Sequence, residues 1–177
     1  EHGAIVTVYH PNDFQKLPTV DETDLLVVLG CPASPNDSDQ WIKDERKLIK
    51  ELMDAHKPML GMCFGAQQMA KILGAEVKDA PAKEVGWLEV TKQSDVIPDL
   101  PATVTPLHWH QQKFTIPEGG QLLYSSKYLR DQAFIYQDYV IGLQFHLEPL
   151  IDNVREMVAN DGDYADGSVL NQSGQEI

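Results

Sequence analysis

The pentapeptide Gly61-Met62-Cys63-Phe64-Gly65 constrains the possible folds more than any other feature of the chain. It joins a short apolar run, Met59 to Met62, to the segment Phe64 to Leu73, whose apolar residues recur at helical spacing and which stops at Gly74. Small residues two before and two after a nucleophile permit a tight strand-to-helix turn that presents the side chain above the sheet. A turn of this kind needs a strand held within a sheet and a helix packed on it, so it commits the chain to an α/β architecture. The sulfur then sits at a helix N terminus, where the dipole and unpaired N–H groups favour thiolate over thiol. A cysteine taken alone is more often a small packing residue, and the flanking glycines are what set Cys63 apart.

The surrounding pattern agrees with that architecture. Leu25 to Leu29 is a continuous apolar run ending at Gly30, as expected of a strand covered on both faces. Residues 41 to 55 carry Trp41, Ile42, Leu48, Ile49, Leu52 and Met53 at helical spacing, with Pro58 beyond the end. Strand, helix, strand, helix in this order predicts a parallel sheet. In the second half, residues 85 to 91, 104 to 110, 122 to 125, 133 to 136 and 140 to 147 read as strands separated by Pro and Gly, which predicts an antiparallel portion. A short helix is expected near Arg155 to Val158, and residues 160 to 168, rich in Asp, Gly and Asn, read as an exposed loop. The expected fold is a three-layer α/β sandwich, mainly parallel and flanked by helices, with antiparallel strands in the C-terminal half. All 177 residues read as one domain. Glu1-His2-Gly3 followed by Ala4 to Val8 reads as a helix end leading into a strand, so the visible sequence is expected to lack an upstream strand and helix and a C-terminal segment.

Composition narrows the function classes. Fourteen Lys and Arg against 27 Asp and Glu give a net charge of −13, which disfavours nucleic acid and anionic membranes as partners. No apolar run reaches the length of a membrane span. Two cysteines are too few for a disulfide framework, and a reducing, cytoplasmic setting is expected.

A thiolate nucleophile needs a base and a group to orient it. In Val140 to Glu148, strand alternation sends Ile141, Leu143, Phe145 and Leu147 to one face and Gln144, His146 and Glu148 to the other. Pro149 biases Glu148 toward an extended conformation, so the alternation is expected to reach the carboxylate. His146 is thus the candidate base and Glu148 its partner, against the reading of an incidental His-x-Glu pair on an edge strand. The Phe64 N–H would face the oxygen of an attacked carbonyl, and the turn at Gly30 and Cys31 offers a second donor.

Gly61 to Gln67 together with Gln144 to Glu148 resembles the class I glutamine amidotransferases, nearest to free-standing homologues of the glutaminase domain of GMP synthase. Supporting stretches are Leu29 to Pro32, Glu84 to Trp87, His108 to His110, and Ser125-Ser126 with Gln132 to Phe134. The resemblance implies hydrolysis of the glutamine side-chain amide through a thioester, with Cys63, His146 and Glu148 as a triad and ammonia passed to an acceptor, in some cases on a separate synthetase. It also implies that the backbone at Cys31 and Phe64 forms the oxyanion site and that Gln67 helps hold the substrate. Gly30, Trp109 and His110 are the further substrate-facing candidates. This chain departs from the family pattern at Cys31, in place of a usual glycine, at Gln111-Gln112, in place of Gly-Asp, and at Leu147, in place of proline. Those changes keep open other γ-glutamyl or peptide substrates, or a catalytically silent binding module.

Cys31 beside Cys63 raises the prospect of a redox lock, weighed against a residue that merely fills a turn. His108 and His110 are spaced as metal ligands on one strand face, but no third ligand stands at a sensible spacing, so no metal is expected. The glycines match neither a P-loop nor a dinucleotide fingerprint, and no cofactor is expected.

Overall fold

A computed structural model describes residues 3–13 and 16–177. Its main sheet has seven strands in the order β1-β2-β9-β8-β7-β4-β5. Strands β1 (Leu26–Val28), β2 (Met59–Met62) and β9 (Val140–Leu143) run parallel. Strands β8 (Ala133–Tyr136), β7 (Gly120–Ser126), β4 (Val90–Lys92) and β5 (Thr103–Val104) extend the sheet antiparallel. A separate antiparallel pair joins β3 (Val77–Trp87) to β6 (Leu107–Phe114). The chain is α/β, with its parallel strands at the end that carries the cysteine turn.

Helix α1 (Gln40–Asp54) buries Ile42, Leu48, Ile49, Leu52 and Met53 along one stripe and leaves Lys47, Lys50 and Glu51 in solvent. It crosses from β1 to β2, as the helical spacing predicts. Helix α2 (Phe64–Ile72) is buried on nearly every side, which suits a helix wedged between α1 and the sheet. The sheet separates two apolar clusters, and strand alternation assigns residues to each. Phe134 and Val140 join Leu48, Leu52, Met69 and Phe114 on the helical side. Ala133, Ile135 and Leu143 join Met62, Val90, Leu123 and Phe145 on the other.

Several expected elements differ. The helix end expected at Glu1-His2-Gly3 lies partly outside the described residues, and no strand forms at Ala4 to Val8. That run pairs with no other backbone among the described residues, and Ile5, Val6 and Val8 are 97%, 80% and 70% exposed. Residues 85 to 91 and 104 to 110 are each divided between the two sheets, because the chain crosses from one to the other at Leu88-Glu89 and at Thr105-Pro106. The last strand stops at Leu143, where the Gln144 N–H turns to the carbonyl of Gln132 (2.8 Å). Helix α3 (Ile151–Asp161) is longer than expected and runs into a 3-10 turn at Gly162–Ala165.

Residues 160 to 168 are not an open loop. Ala165 and Ser168 are buried, and the Ser168 hydroxyl both accepts from the Val85 N–H (2.9 Å) and donates to the Val85 carbonyl (3.1 Å). The Val169 N–H donates to the Lys83 carbonyl, and the Gln172 carboxamide bonds both the N–H and the carbonyl of Trp87. The outward-facing polar groups of β3 at alternate residues are thereby satisfied by the C-terminal segment, which covers the free edge of that strand.

Candidate active site

Cys63 occupies the turn between β2 and α2 with φ 48° and ψ −107°, a conformation that non-glycine residues rarely adopt and that concentrates at functional turns. The turn is held from both sides. The Cys63 N–H donates to the Leu143 carbonyl (2.7 Å), and the Gln67 N–H closes the first helical bond on the Cys63 carbonyl (3.0 Å). The flanking glycines are required by packing. A Cβ at Gly61 would lie 2.6 Å from the Ala66 nitrogen, and one at Gly65 would overlap the Val28 carbonyl. The glycines thus let α2 settle directly on β1 and β2. Phe64 opens that helix, so its N–H has no partner within the helix.

His146 lies beyond the end of β9 but is fixed by an isolated bridge to β6. Its N–H donates to the Leu107 carbonyl (2.8 Å), and its carbonyl accepts from the Leu107 N–H (3.2 Å). Its Nδ1 is 2.6 Å from Glu148 Oε1, while Glu148 Oε2 accepts from the Leu147 N–H at 3.0 Å. The expected pairing of histidine and glutamate on one side survives the break in the strand, because the bridge preserves the alternation at His146.

Burial opposes charge on the imidazole, yet its hydrogen bonds to Cys63 and Glu148 outweigh burial and push His146 up to about 10. For Glu148, burial works toward the neutral acid, but the imidazole and the backbone N–H groups of Leu147 and Glu148 prevail and lower it. A carboxylate, a proton-holding imidazole and a sulfur therefore stand in sequence. Gly30 lies against this set, since a Cβ there would be 2.7 Å from His146 Cε1 and 3.3 Å from Cys63 Cβ.

The Cys31 backbone follows Gly30, and its φ is not positive, so the cysteine replaces glycine there without left-handed strain. Burial pushes the Cys31 thiol up to about 12, with the neighbouring Glu45 and Cys63 adding to the rise. A thiol held protonated is a poor partner for a redox lock.

Gln67 is 3% exposed and donates from Nε2 to Gln144 Oε1 (3.3 Å) and to the Gln112 carbonyl (3.4 Å). Gln144 in turn approaches the turn cysteine, with Nε2 3.7 Å from Cys63 Sγ. Strand alternation had put Gln144 on the histidine's face, and this contact gives it a place at the sulfur. Gln112 accepts from the Ser34 hydroxyl (2.8 Å) and donates to Asp79 (3.3 Å), linking the loop after β1 to β3.

Trp109 is partly exposed and stacks on Tyr164 (centroids 6.1 Å apart, planes at 27°), with Lys83 Nζ 4.8 Å from the Tyr164 ring centre. Burial, followed by the proximity of Cys63, raises the Tyr164 phenol. Sequence reasoning missed Tyr164, because nothing in the polar segment around it signals that it folds back toward the cysteine.

His110 does not share that wall. It is 3% exposed, and its Nε2 faces Glu84 Oε2 at 3.2 Å, so its polar edge is engaged inside the β3–β6 pair. Glu84, opposite His110 in the strand register, also supplies the third metal-type ligand that linear spacing did not reveal. Burial, with the neighbouring His110, lowers His108 to about 4.

Comparisons with known proteins identify the family of the chain. The family model for "Glutamine amidotransferase class-I" matches residues 1–161. The chain is 28% identical to the putative glutamine amidotransferase-like protein YfeJ of Salmonella typhimurium, over 80% of this chain and 63% of the relative. It is 32% identical to GMP synthase of Streptococcus mutans over 73% of this chain and 26% of the relative. It is 28% identical to gamma-glutamyl peptidase 5 of Arabidopsis thaliana over 83% of this chain and 65% of the relative. The chain thus spans less than two thirds of the length of each of these curated relatives. A crystal structure of a glutamine amidotransferase from Thermotoga maritima superposes with TM-score 0.81 at 30% identity, covering 86% of this chain and 69% of that one. The chain belongs to the class I glutamine amidotransferase family.

Proposed function

We propose that this chain hydrolyses the side-chain amide of glutamine, or of a related γ-glutamyl compound, through a thioester on Cys63. The observation that carries the reading is the alignment of Glu148, His146 and Cys63 at a strained strand-to-helix turn, with the carboxylate 2.6 Å from Nδ1 and the opposite side of the ring bonded to sulfur. The sulfur attacks the amide carbon, and the C–N bond breaks as His146 gives its proton to the departing nitrogen, releasing ammonia. His146 then takes a proton from water, whose oxygen attacks the thioester and frees the acid and the sulfur. Glu148 keeps the ring oriented throughout.

The N–H groups of Phe64 and Cys31 face the oxyanion in this reading, each worth about 3–4 kcal/mol of barrier. Gly30, Gln67 and Trp109 border the substrate, and His110 supports that wall from its buried side. Ammonia passes to a separate synthetase, consistent with the GMP synthase relatives. Two free cysteines suit a reducing cytoplasm, and no helix among the described residues is long and apolar enough to cross a membrane.

Hydrolysis of γ-glutamyl peptides is the second reading. It is favoured by the γ-glutamyl peptidase relative and by Gln112, a departure from the pattern the resemblance implies, whose side chain bridges Ser34 and Asp79. Ammonia release from glutamine, measured beside hydrolysis of γ-glutamyl dipeptides, tests both. The parent should act on at least one class while Cys63→Ser and His146→Ala fall to background. Equal rates in all three proteins would discard the proposal.

A further inference from the structure

We propose that Glu84, His108 and His110 form a buried binding site for a divalent transition-metal ion, best suited to Zn2+. The three come from neighbouring strands and are brought together by the register that sets Glu84 opposite His110. His108 and His110 share one face of β6 because they are two residues apart. All three are buried, at 1%, 0% and 3% exposure for Glu84, His108 and His110.

Their facing atoms make a compact triangle. His108 Nδ1 and His110 Nε2 are 3.3 Å apart, His110 Nε2 and Glu84 Oε2 3.2 Å, and His108 Nδ1 and Glu84 Oε2 3.7 Å. Tetrahedral ligands about 2.0–2.1 Å from zinc stand roughly 3.3–3.4 Å from one another, so these edges fit one ion with little movement. Two imidazoles and one carboxylate leave a fourth position for a small ligand such as water, and the set suits zinc over calcium or magnesium.

Proton counting favours a cation at the centre. His108 Nε2 is 3.3 Å from the Leu88 carbonyl, which can only accept, so in the neutral ring Nδ1 is a bare lone pair turned toward Glu84 and His110. That lone pair and the carboxylate oxygen, which also accepts from Gln132 Nε2, both face the one proton on His110 Nε2. On the far side of the same ring, His110 Nδ1 is buried without a hydrogen-bond partner, as is Gln132 Oε1 among the described residues. With the His110 proton on Nε2, both orphaned atoms are acceptors. Metal binding at Nε2 moves the ring proton to Nδ1, turning one orphan acceptor into a donor and directing three lone pairs at one positive charge.

The ligands are already held from behind. The Ser126 hydroxyl donates to Glu84 Oε1 (2.8 Å), Gln132 Nε2 donates to Glu84 Oε2 (2.7 Å), and the Leu88 carbonyl fixes the His108 tautomer. Outer contacts of this kind orient metal ligands in built sites. The ion would lock β3 to β6 beside Leu107, the residue that exchanges backbone hydrogen bonds with His146. Metal binding there does not depend on Cys63 acting as a nucleophile.

The test uses the full chain carrying Cys31→Ser and Cys63→Ser, which removes thiol ligands. After chelator treatment, the protein is refolded with Zn2+ or with Co2+, passed through a desalting column and assayed for bound metal. One equivalent should be retained, and the cobalt form should show the intense visible absorption of a tetrahedral site with nitrogen and oxygen ligands. His108→Gln and Glu84→Gln should each weaken binding by at least about 100-fold, the upper end of what losing an outer-shell contact costs. Folded protein that retains no stoichiometric metal, or a cobalt spectrum without tetrahedral intensity, would overturn the proposal whatever the variants do. Metal binding that both variants leave unchanged would overturn it as well.

Discussion

Gly30 lies so close beneath His146 that a methyl group there would come within 2.7 Å of the imidazole Cε1. The loop after β1 and the histidine after β9 thus share a contact that only a residue without a side chain allows. The φ of Gly30 is not left-handed, so alanine is strained there by crowding and not by its backbone. Gly30→Ala should leave the fold intact by circular dichroism while pushing the ring off line. A displacement near 1 Å typically costs ~10²-fold. Steady-state kinetics should show kcat/KM falling by about that factor, and an unchanged value would show that the contact relaxes without moving His146.

Glu148 holds His146 through one hydrogen bond and is itself held by the Leu147 N–H. Glu148→Gln preserves volume but offers Nδ1 the wrong kind of group in half its orientations. Loss of the orienting carboxylate should lower kcat by on the order of 10²–10⁴-fold with KM little changed. A variant within twofold of the parent would remove Glu148 from the triad.

The shift at His146 makes stability depend on pH in a definite direction. A histidine raised from 6.5 to about 10 by its partners contributes stability that is fully present below pH 6.5 and is lost as pH rises through about 10. Glu148, lowered from 4.5, contributes stability present above that value and lost as pH falls through its folded value. Urea midpoints measured across both windows should fall at each end, and His146→Gln should flatten the alkaline fall. An alkaline limb identical in parent and variant would contradict the assignment.

Ser168 satisfies both backbone groups of Val85, and its removal leaves a buried N–H and carbonyl without those bonds. Ser168→Ala should cost about 1–3 kcal/mol in urea unfolding. A neutral effect would mean that the C-terminal segment does not hold the β3 edge.

What was legible in the sequence divides along physical lines. The strand-to-helix turn is marked by three residues close in sequence, Gly61, Cys63 and Gly65, so its pattern is legible locally even though the Val28 backbone is what Gly65 makes room for. His146 and Glu148 were legible through alternation, although β9 ends three residues before the histidine. A bridge to Leu107 carries the pattern onward, and no local signal announces that bridge. Glu84 was not placed with His108 and His110 because they meet only through the β3–β6 register, an interaction between distant segments.

The polar run 160 to 168 looked solvated because its composition does. Its serine and backbone instead complete an edge strand, a role that hydrophobicity cannot show. Ala4 to Val8 erred in the opposite direction, since an apolar β-branched run becomes a strand only where another backbone pairs with it.

The most direct test of the account is covalent labelling with a glutamine analogue that carries an electrophilic carbon at the amide position, followed by peptide mapping. One modification is expected, on Cys63, blocked by excess glutamine or a γ-glutamyl substrate and slowed by at least about 10²-fold in His146→Ala. Labelling confined to Cys31, or a Cys63 that stays unmodified in folded protein, would contradict it.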